Sequence, residues 1–139
     1  MHLVLQIVTA AHAFEKAAVR VFRPHGLTPA RFNVLNVLSG HPDGMRASDL
    51  ASTLIVDPSN VTGLLKRMRK EGLVAELGNS ADRRQHIACL SPKGRALWRR
   101  ANRDYERCLE ELSALVPEAR TAAAESMLGV LVDRATRLP

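Results

Sequence analysis

Between Asp57 and Lys70 the chain places Ser59, Asn60, Thr62, Gly63, Lys66 and Arg67 along one side of an expected helix. Val61, Leu64, Leu65 and Met68 take the other side. Hydroxyl and amide side chains can exchange hydrogen bonds with base edges, while ammonium and guanidinium groups reach phosphates. The chemistry open to that face is recognition of a polyanion. Asp82, Arg83 and Arg84 then stand in the polar, turn-rich stretch 78–84. Two adjacent guanidinium groups with little apolar cover repel unless they meet phosphates, an acid or a narrow minor groove. Asp82 is placed to hold one of them. A plain amphipathic surface helix or a solvated turn would explain either feature alone, so the reading rests on their combination. Phosphate contacts are also open to Arg31, Arg46, Thr53 and Lys93.

Other chemistries find less support. The sequence carries no glycine-rich phosphate loop, no nucleophile elbow and no nucleophile, histidine and acid at a working arrangement, so an enzyme is not expected. His2, His12, His25, His41 and His86 are scattered without ligand spacing, so neither a metal nor a cofactor is expected. Cys89 and Cys108 are too few for a disulfide framework. One falls in an expected strand and the other on a long helix, which suits packing better than a reactive thiolate. A reducing cytoplasm is the compartment that follows. The apolar start Leu3–Val8 meets Glu15, Lys16 and Arg20 too soon for a signal peptide or a membrane span.

The elements that must hold these residues are helical for the most part. At 139 residues the chain fits one domain. With 46% hydrophobic and 24% charged residues it has a globular balance. The net charge of +6 is unevenly spread: residues 57–107 hold twelve Lys/Arg against six Asp/Glu, while residues 108–139 hold three against five. Apolar residues at helical period predict a first helix from Leu3 to about Phe22, stopped by Pro24 and Gly26. Thr28-Pro29 and Asp57-Pro58 each read as an N-cap followed by proline in the first helical position, opening a second and a fourth helix. A short third helix lies around Ser48–Leu54, with Met45 packing at its entrance. Leu73–Leu77 and His86–Leu90 flank the turn-rich tip as a hairpin. Ser91-Pro92 caps a fifth helix running through Leu112, and Pro117 starts a sixth.

Two short helices joined through 54–57, followed by a basic hairpin, have the order of a winged helix-turn-helix. The stretch Ser48-Asp49-Leu50-Ala51 through Asp57-Pro58-Ser59-Asn60-Val61-Thr62-Gly63-Leu64-Leu65, and then Glu71-Gly72-Leu73-Val74, resembles the helix-turn-helix of the MarR (multiple antibiotic resistance regulator) family. Residues Asp82-Arg83-Arg84-Gln85-His86-Ile87-Ala88-Cys89-Leu90-Ser91-Pro92-Lys93-Gly94 resemble its wing signature. Ile55 departs from the pattern, standing where many such turns place glycine.

The resemblance implies a single mainly α domain of about six helices with a small β-hairpin wing. Residues 28–95 would form the DNA-binding lobe, and 1–23 with 109–139 a dimerisation lobe. It implies a homodimeric regulator of transcription, most simply a repressor, that reads a pseudo-palindromic double-stranded operator. Ser59, Asn60, Thr62, Gly63, Lys66 and Arg67 would face the major groove, with Asp82, Arg83 and Arg84 at the wing. It further implies release by a small aromatic or phenolic effector in a cleft to which His12, Lys16, Phe32 and Trp98 contribute. The competing readings are a winged-helix module that binds protein instead of DNA, and a DNA-binding regulator that needs no ligand.

Overall fold

The computed structural model describes residues 2–54, 56–77 and 87–138. The order is α1 (His2–Phe22), a 3-10 turn (Arg23–His25), α2 (Pro29–Ser39), β1 (Met45–Arg46), α3 (Ala47–Leu54), α4 (Pro58–Lys70), β2 (Val74–Leu77), β3 (Ile87–Leu90), α5 (Pro92–Ser113) and α6 (Glu118–Ala135). The chain divides into two compact units, Met1–Tyr105 and Glu106–Pro139. Ile55 and the wing residues Asp82, Arg83 and Arg84 lie outside the described residues.

Helix starts follow from local chemistry. Thr28 Oγ1 accepts from the Arg31 N–H at 3.3 Å, and Pro29 occupies a position whose N–H would have no helical partner. The Asp57 carboxylate repeats the arrangement by accepting from Ser59 N–H at 2.8 Å. Ser91 Oγ accepts from Gly94 N–H at 2.9 Å as α5 begins. Between α1 and α2, Gly26 takes φ 68°, a left-handed conformation that reverses the chain after the 3-10 turn.

The first unit holds the core. Phe22 of α1 stacks on Phe32 of α2 with ring centroids 4.0 Å apart, and Tyr105 of α5 approaches both rings at 5.3 and 5.2 Å. Leu35 and Leu38 of α2, Leu50 of α3 and Val61 and Met68 of α4 complete the buried centre. Helices α3 and α4 therefore share their apolar faces with α2, which fixes the outward face of α4.

The sheet has three strands in the order β1-β3-β2, all antiparallel. The hairpin register pairs Val74 with Leu90 and Leu77 with Ile87. Strand β1 was not expected: Met45 pairs with Ala88 inside the sheet, where the sequence suggested only packing at a helix entrance. Two residues are too short to show a period, so no alternation could announce them. Gly44 makes the pairing possible. It takes φ 77°, and an added Cβ would stand 2.7 Å from Ala88 O.

The second unit comprises the end of α5 and all of α6, joined by a turn in which Val116 N–H donates to Ser113 O and Arg120 N–H to Pro117 O. No residue of α6 is buried. Leu115, Val116, Val130 and Val132 are among its exposed apolar side chains. In the first unit, α1 buries only Phe22 and leaves Leu3, Val4, Leu5, Val8, Phe14 and Val19 exposed.

Candidate nucleic-acid interface

Helix α4 buries Val61, Leu65 and Met68 and turns Ser59, Asn60, Thr62, Lys66 and Arg67 to the surface; Gly63 is half-buried. All six residues expected on the reading face are thus on one side of one helix. Their hydrogen-bonding states differ. Ser59 Oγ donates to the Asp57 carboxylate, and Thr62 Oγ1 donates to Pro58 O at 3.0 Å. Each hydroxyl keeps acceptor capacity for an incoming donor. The Ser59 hydroxyl, and after it the Ser59 N–H, hold the Asp57 carboxyl below the usual aspartate range, so the cap stays ionised. Arg67 lies across Gly63, whose missing side chain leaves that strip of helix open. Among the described residues Lys66, Arg67 and Lys70 enter no ion pair.

Other cations of the lobe are committed to structure. Arg69, on the same helix, pairs with Glu76 of β2 and ties the helix to the wing strand. Arg31 pairs with Glu71 and also donates to Gly26 O at 3.4 Å. Its Nε is buried without a hydrogen-bond partner. Lys93 Nζ donates to Glu71 O at 2.7 Å, satisfying a carbonyl at the C-terminal end of α4. Thr53 Oγ1 donates to Asp49 O within α3 at 2.9 Å. Arg46 lies on β1 opposite Ile87 and has a partner of its own. Of the four residues considered for phosphate contacts, Arg31 and Lys93 are therefore held by Glu71. Sequence reasoning missed Arg69, Glu71 and Glu76 as clamps. The only available signal was their opposite charge at the helix end and the strand that follows.

Gly94, within the wing signature, has a steric role. A Cβ there would fall 1.9 Å from Leu73 O, so the first turn of α5 lies directly on the backbone entering β2. Ser91 Oγ donates to Gly72 O at 2.6 Å at the same junction. The signature residues Ser91, Pro92, Lys93 and Gly94 thus fasten α5 to the end of α4.

The four residues expected to line an effector cleft lie on α1, α2 and α5 of the first unit. Phe32 is only 1% exposed, a core residue against Phe22. Trp98 is half-buried and donates its indole N–H to Asn36 Oδ1 at 3.0 Å. His12 and Lys16 are exposed on α1, where His12 faces Glu15 at 3.7 Å. A groove of about 630 Å³ lies between the start of α2 and α4, walled by Leu54, Val56 and Leu64 and rimmed by Arg31, Asn60 and Arg67. Cys89 is buried in β3 with its Sγ–H donating to Ala75 O at 3.8 Å, and Cys108 is half-buried; both are free thiols. Among the described residues no three His, Cys, Asp or Glu side chains converge, and no helix is long and apolar enough to cross a membrane.

A three-helix core with a paired hairpin, carrying unpaired cations on the exposed face of its last helix, defines a winged helix-turn-helix protein. Residues 25–85 match the MarR family profile. The homoprotocatechuate degradative operon repressor of Escherichia coli is 32% identical over 103 residues, 71% of this chain and 69% of that protein. The chain belongs to the MarR family of transcriptional regulators. The transcriptional activatory protein BadR of Rhodopseudomonas palustris is 34% identical over 98 residues, covering 69% of this chain but 56% of its own length. Among solved structures, the transcriptional repressor CouR bound to a 23-mer DNA duplex superposes with a TM-score of 0.81 at 30% identity, over 91% of this chain and 89% of that one.

Proposed function

We propose that the protein regulates transcription by binding a pseudo-palindromic DNA duplex as a homodimer, with α4 in the major groove. The observation that carries this is the exposed face of α4, where Asn60, Lys66 and Arg67 stand on a helix braced from behind by Val61, Leu65 and Met68. Ser59, Thr62 and Gly63 complete that face, and Asp82, Arg83 and Arg84 act at the wing. The dimer is supported by apolar side chains left uncovered on α1 and, separately, on α6, which a monomer would keep wet. In this reading 1–23 and 109–139 dimerise and 28–95 bind DNA, with half-sites about one helical turn apart.

A repressor released by a small aromatic or phenolic effector fits a relative whose operon degrades homoprotocatechuate, itself a phenolic acid. His12, Lys16 and Trp98 are the residues open to such a ligand, and Phe32 joins them if the aromatic core opens. The protein acts in the cytoplasm and catalyses no reaction. The deciding experiment measures affinity for a selected duplex and for a scrambled one across a salt series. A steep fall with salt together with at least tenfold preference for the selected site supports the reading. Affinity that ignores both salt and sequence would refute it and favour a protein-binding module.

A further inference from the structure

Among the described residues of 28–95, only Val56 and Leu77 are large apolar side chains left exposed. The apolar exposure of α1 and α6 is already assigned to the dimer, and Val56 lies on neither helix. It stands immediately before Asp57, the N-cap of α4, and its N–H donates to Ala51 O at 3.1 Å, which fixes the turn out of α3. Val56 and Val61 occupy the two positions that close a helix start as a hydrophobic staple. Val56 nevertheless keeps 46% of its surface open, so a staple accounts for only part of it. That surface belongs to the groove between α2 and α4, where the half-buried Leu54 and Leu64 continue the apolar wall. Leu64 falls one turn after Asn60 and one turn before Arg67. The flank of α4 that lines the groove therefore sets an apolar side chain between a base-reading amide and a cation.

We propose that Val56, backed by Leu64, reads the C5-methyl group of a thymine in or next to the base pair that Asn60 contacts. The inference rests on the DNA part of the proposed function and adds a specificity residue to it. Every base pair offers donors and acceptors in the major groove, and only thymine adds a methyl group. Against any other base edge an apolar wall strips water from a polar group and returns no bond. Against a methyl group both surfaces leave water together. The end of a reading helix that reaches base edges is its N-terminal end, and Val56 and Asn60 both stand there. Arg67, farther along the same rim, is placed to hold the phosphate strand while the methyl group meets the wall.

The test uses the full chain and a duplex that it selects from a random pool. Affinity for that duplex is first compared with a scrambled one, so failure of the DNA reading shows itself before any methyl group is touched. Each thymine of one half-site, together with its symmetry mate, is then replaced by deoxyuridine, which removes the methyl group alone. One position is expected to cost about fourfold for each half-site and about fifteenfold for the pair. It should fall in or next to the base pair at which Asn60→Ala relaxes base preference. Val56→Ala should bind the thymine and deoxyuridine duplexes within about twofold of each other, with the salt slope of the parent, since no phosphate contact is lost. Val56→Thr keeps the shape and one methyl group, so it should retain part of the discrimination. A side chain that served only as a staple would weaken both duplexes equally, and that result would overturn the proposal. So would a selected site with no thymine near the Asn60 position, deoxyuridine that is neutral throughout, or undiminished methyl sensitivity in Val56→Ala. Neutral deoxyuridine together with benzoate that binds the parent and not Val56→Ala would make the groove a small-molecule site instead.

Discussion

Replacing Gly94 by Ala sets two physical effects against each other with opposite signs. Helix propensity alone predicts a gain of about 1 kcal/mol, because Gly94 lies inside α5. The junction predicts a loss: the new Cβ would stand 1.9 Å from Leu73 O, 2.9 Å from Leu73 C and 3.3 Å from Leu73 Cα. Those atoms are backbone, so no rotamer change relieves the overlap, and the first turn of α5 must lift from the segment leading into β2. Overpacking of this kind costs about 3 kcal/mol at the upper end of its range. The net loss is therefore about 2 kcal/mol after the propensity gain. For a chain of this length that lowers the melting midpoint by about 6 to 8 °C. Thermal and urea unfolding at a fixed protomer concentration would measure it, since a dimer's stability depends on concentration. A midpoint equal to or above that of the parent would refute the steric account.

Gly63→Ala provides the contrast: an added Cβ meets only Arg67 Nη1 at 3.9 Å, so stability should rise by up to about 1 kcal/mol while operator affinity falls. Unfolding and gel-shift assays on the same sample would separate the two effects. Lys66→Ala with Arg67→Ala should lower specific affinity by about 10²-fold, at roughly 1.5 kcal/mol for each half-site, and retained footprints would contradict the placement of α4. Arg84→Ala should weaken operator binding and lower the salt slope without unfolding the dimer, and an unchanged gel-shift affinity would count against a wing contact. Ser59→Ala removes the main cause of the low Asp57 pKa, so the carboxyl should titrate at higher pH, as read by NMR. Because the folded-state value is depressed, the cap's stabilising contribution is present above the unfolded value and fades as pH falls through the folded one; the variant should lose it earlier on acidification.

The helices were legible because their signals are local. Thr28-Pro29, Asp57-Pro58 and Ser91-Pro92 each place an oxygen acceptor before a residue that needs no N–H partner, and each stands at a helix start. The reading face of α4 was equally legible, since period 3.6 separates Val61, Leu65 and Met68 from Asn60, Lys66 and Arg67. What could not be read depends on contacts between distant segments. Strand β1 exists because Gly44 lets the chain approach Ala88, more than 40 residues later. Phe32 was legible as an inward residue of α2 beside Leu35 and Leu38, but its ring partners Phe22 and Tyr105 were not, since no sequence window contains the three together.

The distribution of charge pairs explains how one lobe can be both rigid and adhesive. Helix α4 carries Arg67, Arg69 and Lys70 in its last turn, where positive charge favours the helix dipole. Only Arg69, on the flank toward β2, meets a carboxylate of the lobe among the described residues. Glu71, directly beyond the helix, takes Arg31 through its side chain and Lys93 through its carbonyl, so α2, α4 and α5 meet at one residue. An exposed ion pair contributes less than about 1 kcal/mol, so these clamps set orientation more than stability. Their consequence lies on the other flank. Among the described residues the carboxylates near α4 are drawn to its back and end, so Lys66 and Arg67 meet no internal competitor there, and a phosphate that reaches them displaces water and counterions. A carboxylate introduced among them should therefore cost more affinity than removal of a clamp: Asn60→Asp should weaken duplex binding more than Glu76→Gln, although the second breaks an ion pair and the first breaks none. The reverse order in a filter-binding comparison would show that the clamps, and not the unpaired face, set affinity.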